Sequence, residues 1–118
     1  MLAKNGKIYG IPYHSTAVLI IDPVANTVDY TSITVADGNF KWAFGGLLPS
    51  GKIVGMPQSH ANLLIIDPET NTVDYTSHAN VGSGTSKWLG AATTSDGVVV
   101  GIPFDADNVL VVEELVSC

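Results

Sequence analysis

Four side chains with metal-binding chemistry lie in short polar segments of the sequence: His14, His60, Asp105 and Asp107. Imidazole nitrogens and carboxylate oxygens are common ligands of divalent cations, so together they are candidates for a small cation site. Their spacing matches no specific metal motif, and a histidine in a solvated loop is the more common alternative. We therefore predict no metal or other cofactor and keep the four side chains as candidate ligand-binding residues.

Two tryptophans provide a second kind of candidate chemistry. Both follow a lysine, as Lys41-Trp42 and Lys87-Trp88. An indole face can stack on a sugar or on a cationic ligand, whereas a tryptophan at a repeated position also commonly packs in a core. Both alternatives stay open, and Trp42 and Trp88 join the candidate ligand-binding residues. The sequence has no nucleophile elbow, phosphate loop or HExxH motif, so no residue is predicted to be catalytic.

An internal repeat must position these residues. The segment GKIVGMPQSHANLLIIDPETNTVDYTS, residues 51–77, nearly repeats GKIYGIPYHSTAVLIIDPVANTVDYTS, residues 6–32, and a more divergent copy begins at Gly97. Self-similarity at a period of about 45 residues is typical of stacked units that cannot each bury their own apolar face. We predict one domain of three repeats, at about residues 1–40, 41–86 and 87–118.

Each repeat predicts four short antiparallel strands and no helix, because apolar runs are broken by turn residues at short intervals. The first of these strands is rich in glycine and alanine, as in Trp42 to Leu48, and small residues fit where backbones crowd together. The second strand ends at proline, and a polar loop follows it. The third strand is apolar almost without alternation, which predicts a strand covered on both faces. Apolar and polar residues alternate along the fourth strand, which predicts that one of its faces is exposed to solvent.

Four antiparallel strands in about 45 residues match one blade of a β-propeller, in which small-residue strands lie at the axis. The segments VLIIDPVANTVDYTSITV and LLIIDPETNTVDYTS resemble the β-propeller repeats of the YVTN family, which have a similar strand, turn and strand. The resemblance implies ligand binding on the face where the loops after the second strands meet the linkers between blades. The candidate histidines, aspartates and tryptophans belong to that face.

Three blades are too few to close a propeller, which needs about four to eight. Hydrophobic residues make up 46% of the chain and charged residues only 14%, so a large share of the chain must be buried or at an interface. Burying ~600 Å² of apolar surface on an end face is worth on the order of 15 kcal/mol, against association costs of roughly 4–15 kcal/mol. We therefore predict a homodimer that forms a six-bladed ring. A fragment of a longer propeller and an open β-solenoid are the alternatives.

Composition also limits the partners. The formal net charge is −6, with five lysines and no arginine, so we predict no nucleic-acid partner. The longest apolar run, Ala17 to Ile21, is too short to span a bilayer, and the first residues lack the apolar region of a signal peptide. These features predict a soluble, cytoplasmic protein with no membrane partner. Cys118 is the only cysteine and cannot form a disulfide within the chain.

Two functions are consistent with these patterns. The first, which we favour, is a noncatalytic binding or scaffold module: a self-assembling half propeller that holds a small molecule, glycan or peptide on its loop face. The alternative is a small propeller enzyme, a metal-assisted hydrolase or lyase, with its site on the same face. The two differ in whether His14, His60, Asp105 and Asp107 converge on a retained ion.

Overall fold

The computed structural model describes residues 1–82 and 84–114, and this part of the chain is all-β, as predicted. No helix occurs within these ranges, so no described segment has the helical length and apolar character needed to cross a membrane. The strands run in chain order as β1 Ile8–Gly10, β2 Leu19–Asp22, β3 Thr27–Asp29, β4 Trp42–Leu47, β5 Ile53–Pro57, β6 Leu64–Asp67, β7 Thr72–Asp74, β8 Trp88–Thr93, β9 Val99–Pro103 and β10 Leu110–Val112.

Strands that follow one another in the chain form three antiparallel sheets. The first sheet has the order β1-β2-β3, the middle sheet β4-β5-β6-β7 and the third sheet β10-β9-β8. Their registers correspond: Ile8 pairs with Ile21 in the first sheet, and Ile53 pairs with Ile66 in the middle sheet. Before β1, Leu2 forms an isolated antiparallel bridge to Ile8. Cys118 lies outside the described residues.

Several strands are short because neighbouring segments take the hydrogen bonds that would extend them. Val18, directly before β2, donates its N–H to Ile33 O of the following linker at 3.0 Å. The outer strand ends at Asp29 because the Asp29 carboxylate accepts the backbone N–H groups of Thr31 at 2.8 Å and Ser32 at 3.1 Å. A side-chain cap of this kind turns the backbone away from the sheet.

The three sheets pack face to face, and the middle sheet is covered on both sides. All five residues of β5 are buried. Ile53 belongs to an apolar cluster with Tyr9 of the first sheet. Val54 belongs to a second cluster with Val99 of the third sheet. Because adjacent residues of a strand point to opposite faces, one strand supplies side chains to both cores.

The third strand of each repeat is covered on both faces only in the middle sheet, so the sequence prediction is corrected for the two end sheets. Leu64 is fully buried, whereas Leu19, at the same position of the first repeat, is 40% exposed. Val111 in the third sheet is 57% exposed. The reason is that residues 1–82 and 84–114 provide no further sheet to pack on the outer faces of the first and third sheets.

The glycines of β4 let the three sheets approach each other. A Cβ atom at Gly46 would lie 2.7 Å from Val99 Cγ1 of the third sheet. At Gly45 it would lie 2.5 Å from Ile11 Cδ1 of the first sheet and 1.9 Å from Val54 O. β4 also packs against β8, the other small-residue strand. Small residues therefore stand where the backbones crowd, as the composition of these strands predicted.

Candidate functional site

Loops and linkers from all three sheets meet at one end of the stack, which we call the loop face. A series of backbone hydrogen bonds crosses it. Lys41 N donates to Tyr13 O at 2.9 Å, and Gln58 N donates to Lys41 O at 2.9 Å. Lys87 N donates to Gln58 O at 3.0 Å, and Phe104 N donates to Lys87 O at 2.8 Å. The two lysines therefore lie at the two junctions between adjacent sheets.

Both lysine side chains are buried at these junctions, each only 2% exposed. Lys41 Nζ donates to Gly38 O at 2.8 Å, and Lys87 Nζ donates to His60 O at 2.8 Å and to Gly84 O at 3.2 Å. Burial lowers the pKa of both ammonium groups. All three bonds are to backbone carbonyls. Lys41 Nζ therefore holds its own linker, and Lys87 Nζ ties the following linker to the loop that contains His60.

The two candidate tryptophans are interior residues. Trp42 is 0% exposed and Trp88 is 1% exposed. Each indole N–H is used within the fold: Trp42 Nε1 donates to Asn62 O at 2.8 Å, and Trp88 Nε1 donates to Asn108 O at 2.9 Å. Neither ring has a face open to solvent, so stacking on a ligand is excluded in this arrangement. Of the two alternatives that the sequence left open, core packing describes their surroundings.

His60 is also tied into the interior. Its ring lies on the Trp42 indole, with centroids 4.4 Å apart and planes inclined by 31°. Its Nδ1 accepts the backbone N–H of Asn62 at 3.0 Å, so the ring proton of the neutral form is on Nε2. Burial lowers the pKa of His60, and the positive charges of Lys87 and Lys41 lower it further. A neutral, half-buried imidazole stacked on tryptophan is a packing residue.

The other three candidate side chains lie apart from this histidine and are exposed. His14 packs against Tyr13 and Phe40, with each ring centroid 4.6 Å away, at the junction of the first and middle sheets. Asp105 and Asp107 lie on the loop of the third sheet. Within residues 1–82 and 84–114, no three His, Cys, Asp or Glu side chains form a group that could hold a metal ion. The cation site considered from the sequence is therefore not assembled in the described part.

A shallow polar groove opens on the loop face between the middle and third sheets. The described residues that line it are Ser59, Ala61, Asn80, Gly82, Gly84 and Lys87. A smaller hollow shares Gly82 and Lys87 and adds Asp105, Asp107 and Asn108. The groove has a volume of ≈ 570 Å³ and the hollow ≈ 310 Å³, within the range of roughly 300–1,000 Å³ for small-molecule sites. Of the predicted site residues, Asp105, Asp107 and the buried Trp88 thus line this hollow.

The groove lies where the repeat gains one residue. The first two copies are offset by 45 positions, as Gly10 and Gly55 show, but Gly55 and Gly101 are 46 apart. Asn80 is the residue that accommodates the change: it has a left-handed backbone, with φ 55°, and its N–H donates to Asn62 Oδ1 at 3.1 Å. Asparagine tolerates this conformation better than most residues. The shift in period is the signal in the sequence that marks this segment, although it does not reveal a groove.

No protein-family model matches the chain, and no curated protein is significantly similar to it.

Proposed function

We propose that this chain is a noncatalytic binding module, made of β-propeller blades of the YVTN type, that holds a hydroxyl-rich small molecule or glycan on its loop face. The observation that carries the proposal is the polar groove between the middle and third sheets, with the adjoining hollow. Two carboxylates, two asparagines and a serine surround these openings, whereas the Lys87 ammonium beside them is held by backbone carbonyls. Their donors and acceptors suit a ligand that both donates and accepts hydrogen bonds.

The propeller assignment is supported by how the sheets pack. Small-residue strands β4 and β8 lie against each other, and the alternating strands β3 and β7 form the opposite edges of their sheets. The strands of a propeller blade have this order, with the small-residue strand near the axis and the solvent-exposed strand at the outer edge. Two copies would provide six sheets, and we propose that the module functions as a homodimeric ring of six blades.

Binding is favoured over catalysis by the state of the candidate groups. Both junction lysines donate to backbone carbonyls, and His60 is packed on Trp42. Among the described residues no set of three metal-ligating side chains comes together. The metal-assisted hydrolase or lyase therefore draws no support from the geometry, whereas an open polar groove is sufficient for recognition.

The groove also indicates how the ligand would be held. Asp105 and Asp107 can accept hydrogen bonds from hydroxyl groups, and the Asn80 and Asn108 amides can both donate and accept. Trp88 forms the floor of the hollow but is 1% exposed, so aromatic stacking contributes little. Recognition would rest on hydrogen bonds in an open site, for which we expect micromolar to millimolar dissociation constants.

Titration of ¹⁵N-labelled protein with soluble probes tests this proposal. Cellotetraose, chitotetraose and a neutral tetrapeptide are suitable probes, and the amide shifts should change at Asn80, Gly82 and Gly84. Hydrogen bonds to charged groups contribute about 1.5–3 kcal/mol. The double variant Asp105→Asn, Asp107→Asn should therefore raise the Kd at least about tenfold.

The matched control is Glu69→Gln, which also removes a carboxylate charge but lies in the turn between β6 and β7, outside the groove. Its Kd should equal that of the unmodified chain. If no probe shifts these groove amides at millimolar concentration, the binding function is refuted. Shifts that are insensitive to the aspartate substitutions would refute the assignment of the site.

A further inference from the structure

The outer face of the first sheet is apolar and uncovered. Strand register places Ile8, Ile21 and Val28 side by side on this face, and Leu19 lies two residues along the same strand. Leu19 is 40% exposed, Val28 is 61% exposed and Tyr30, which follows β3, is 64% exposed. We call these five residues the first end face.

The outer face of the third sheet is also apolar, and no described residue packs over it. Val100 pairs with Val111, and Ile102 and Val109 have the same orientation by alternation along their strands. Ile102 is 48% exposed, Val109 is 50% exposed and Val111 is 57% exposed. We call these four residues the last end face.

The first end face is a residue-for-residue copy of a surface that the protein already buries. The equivalent positions of the middle sheet, 45 residues later, carry the same five residue types: Ile53, Leu64, Ile66, Val73 and Tyr75. All five belong to the apolar cluster between the first and middle sheets. A surface with these side chains is thus already a sheet-to-sheet interface within the chain.

The last end face copies the surface that covers those residues. Its positions correspond in the first sheet to Tyr9, Ile11, Val18 and Ile20. These four side chains complete the cluster against the middle sheet. In the middle sheet the same positions carry Val54, Met56, Leu63 and Ile65, which lie in the second cluster against the third sheet. Each end face therefore has the chemistry that the other requires.

We infer that the last end face of one copy of this chain packs on the first end face of a second copy, head to tail, by repeating the internal interface between adjacent sheets. This inference rests on the proposed ring and names the surface that closes it. A pairing of two first end faces has no counterpart within the chain, because the internal contacts always join unlike faces. Two head-to-tail contacts in one pair leave neither end face uncovered.

The inner edge of this contact carries larger side chains than the contact between the middle and third sheets. Ala92 takes the position that Gly46 has in the middle sheet, and Ile8 takes the position that Val99 has in the third. At Gly46 a Cβ atom would lie only 2.7 Å from Val99 Cγ1. The additional carbon atoms require a wider spacing at this edge than the middle and third sheets have.

Charge substitutions on each end face test the inference. Leu19→Lys and Val111→Asp alter exposed positions, so both variants should keep the fold, as measured by circular dichroism and tryptophan fluorescence. Light scattering at micromolar concentration should show a pair for the unmodified chain and monomers for each variant alone. An equimolar mixture should pair again, because the intact last end face of Leu19→Lys can bind the intact first end face of Val111→Asp.

The control Val24→Lys changes a side chain that is 95% exposed in the turn after β2, away from both end faces, and should still pair. Val28→Lys and Val109→Asp form a second test pair if either first variant misfolds. Variants that stay paired alone, or a mixture that stays monomeric, would overturn the head-to-tail contact but not the ring. A monodisperse monomer of the unmodified chain would overturn both, and growth into longer assemblies would contradict closure by two copies. Ligand binding on the loop face is measured separately and does not depend on these outcomes.

Discussion

Substitution of Gly46 by alanine tests the close packing of the middle and third sheets. The added methyl carbon would lie 2.7 and 2.8 Å from the two γ carbons of Val99 and 2.8 Å from Thr93 Oγ1. Overpacking of this kind costs about 1–3 kcal/mol. Loss of glycine restricts the unfolded chain and offsets about 0.4–1 kcal/mol of that cost. We expect the free energy of unfolding to fall by about 1–2 kcal/mol.

Urea denaturation followed by tryptophan fluorescence measures this change, because both tryptophans are buried. Val99→Ala alone should cost about 2 kcal/mol, from the two lost methyl groups and the space they leave. In the double variant the new methyl group enters that space, so the total cost should be smaller than the sum by at least about 0.5 kcal/mol. Ala25→Gly is the control: Ala25 is exposed in the turn between β2 and β3, away from this interface, and its replacement should cost at most about 1 kcal/mol.

Two results would contradict the packing of these sheets. If Gly46→Ala stabilises the protein, the methyl group meets open space and the two sheets are further apart than described. If the costs of Gly46→Ala and Val99→Ala add without coupling, the two residues do not share one interface. Either result would remove the basis for the face-to-face stack.

Three further predictions concern polar groups in and around the core. Trp42→Phe leaves the Asn62 carbonyl without its indole donor and should lower the free energy of unfolding by about 1–3 kcal/mol. Trp88→Phe should lower it less, because its carbonyl partner, Asn108, is an exposed residue that water can reach. Equal decreases in urea denaturation would contradict this difference. Burial lowers the pKa of His60 below 6.5, so at lower pH the unfolded chain takes up a proton that the folded chain does not. The free energy of unfolding should therefore fall as the pH drops through about 6.5. In His60→Gln, the slope of the urea midpoint against pH should decrease. Hydrogen bonds from Ser77 and Thr76 lower the pKa of Asp74 to about 2. The stabilising contribution of this carboxylate should be present above pH 3.8 and be lost as the pH falls towards 2. Asp74→Asn should reduce the acid sensitivity of the fold, and an unchanged midpoint of acid unfolding would contradict this prediction.

Much of the candidate site could not be predicted from the sequence. Asp105 and Asp107 were identified from a polar loop after a proline, and they do lie beside the groove. Lys87 was noticed only because it repeats beside tryptophan. One of its carbonyl partners, Gly84, is three residues away, but the other, His60, belongs to a loop 27 residues earlier in the chain. Asn80 carries no recognisable motif. Its place in the groove follows from a backbone conformation that the one-residue change in period requires.

The order of polar and apolar residues was sufficient to predict the all-β fold, because strand alternation and turn chemistry are local properties. It was not sufficient to predict which surfaces are covered. Leu19 and Leu64 occupy the same position in two nearly identical segments, yet Leu19 is 40% exposed and Leu64 is fully buried. Local sequence cannot distinguish them, since burial depends on a neighbouring sheet that packs on one of them and not on the other. The packing of the three sheets alone decides which faces form the core and which two the described residues leave exposed.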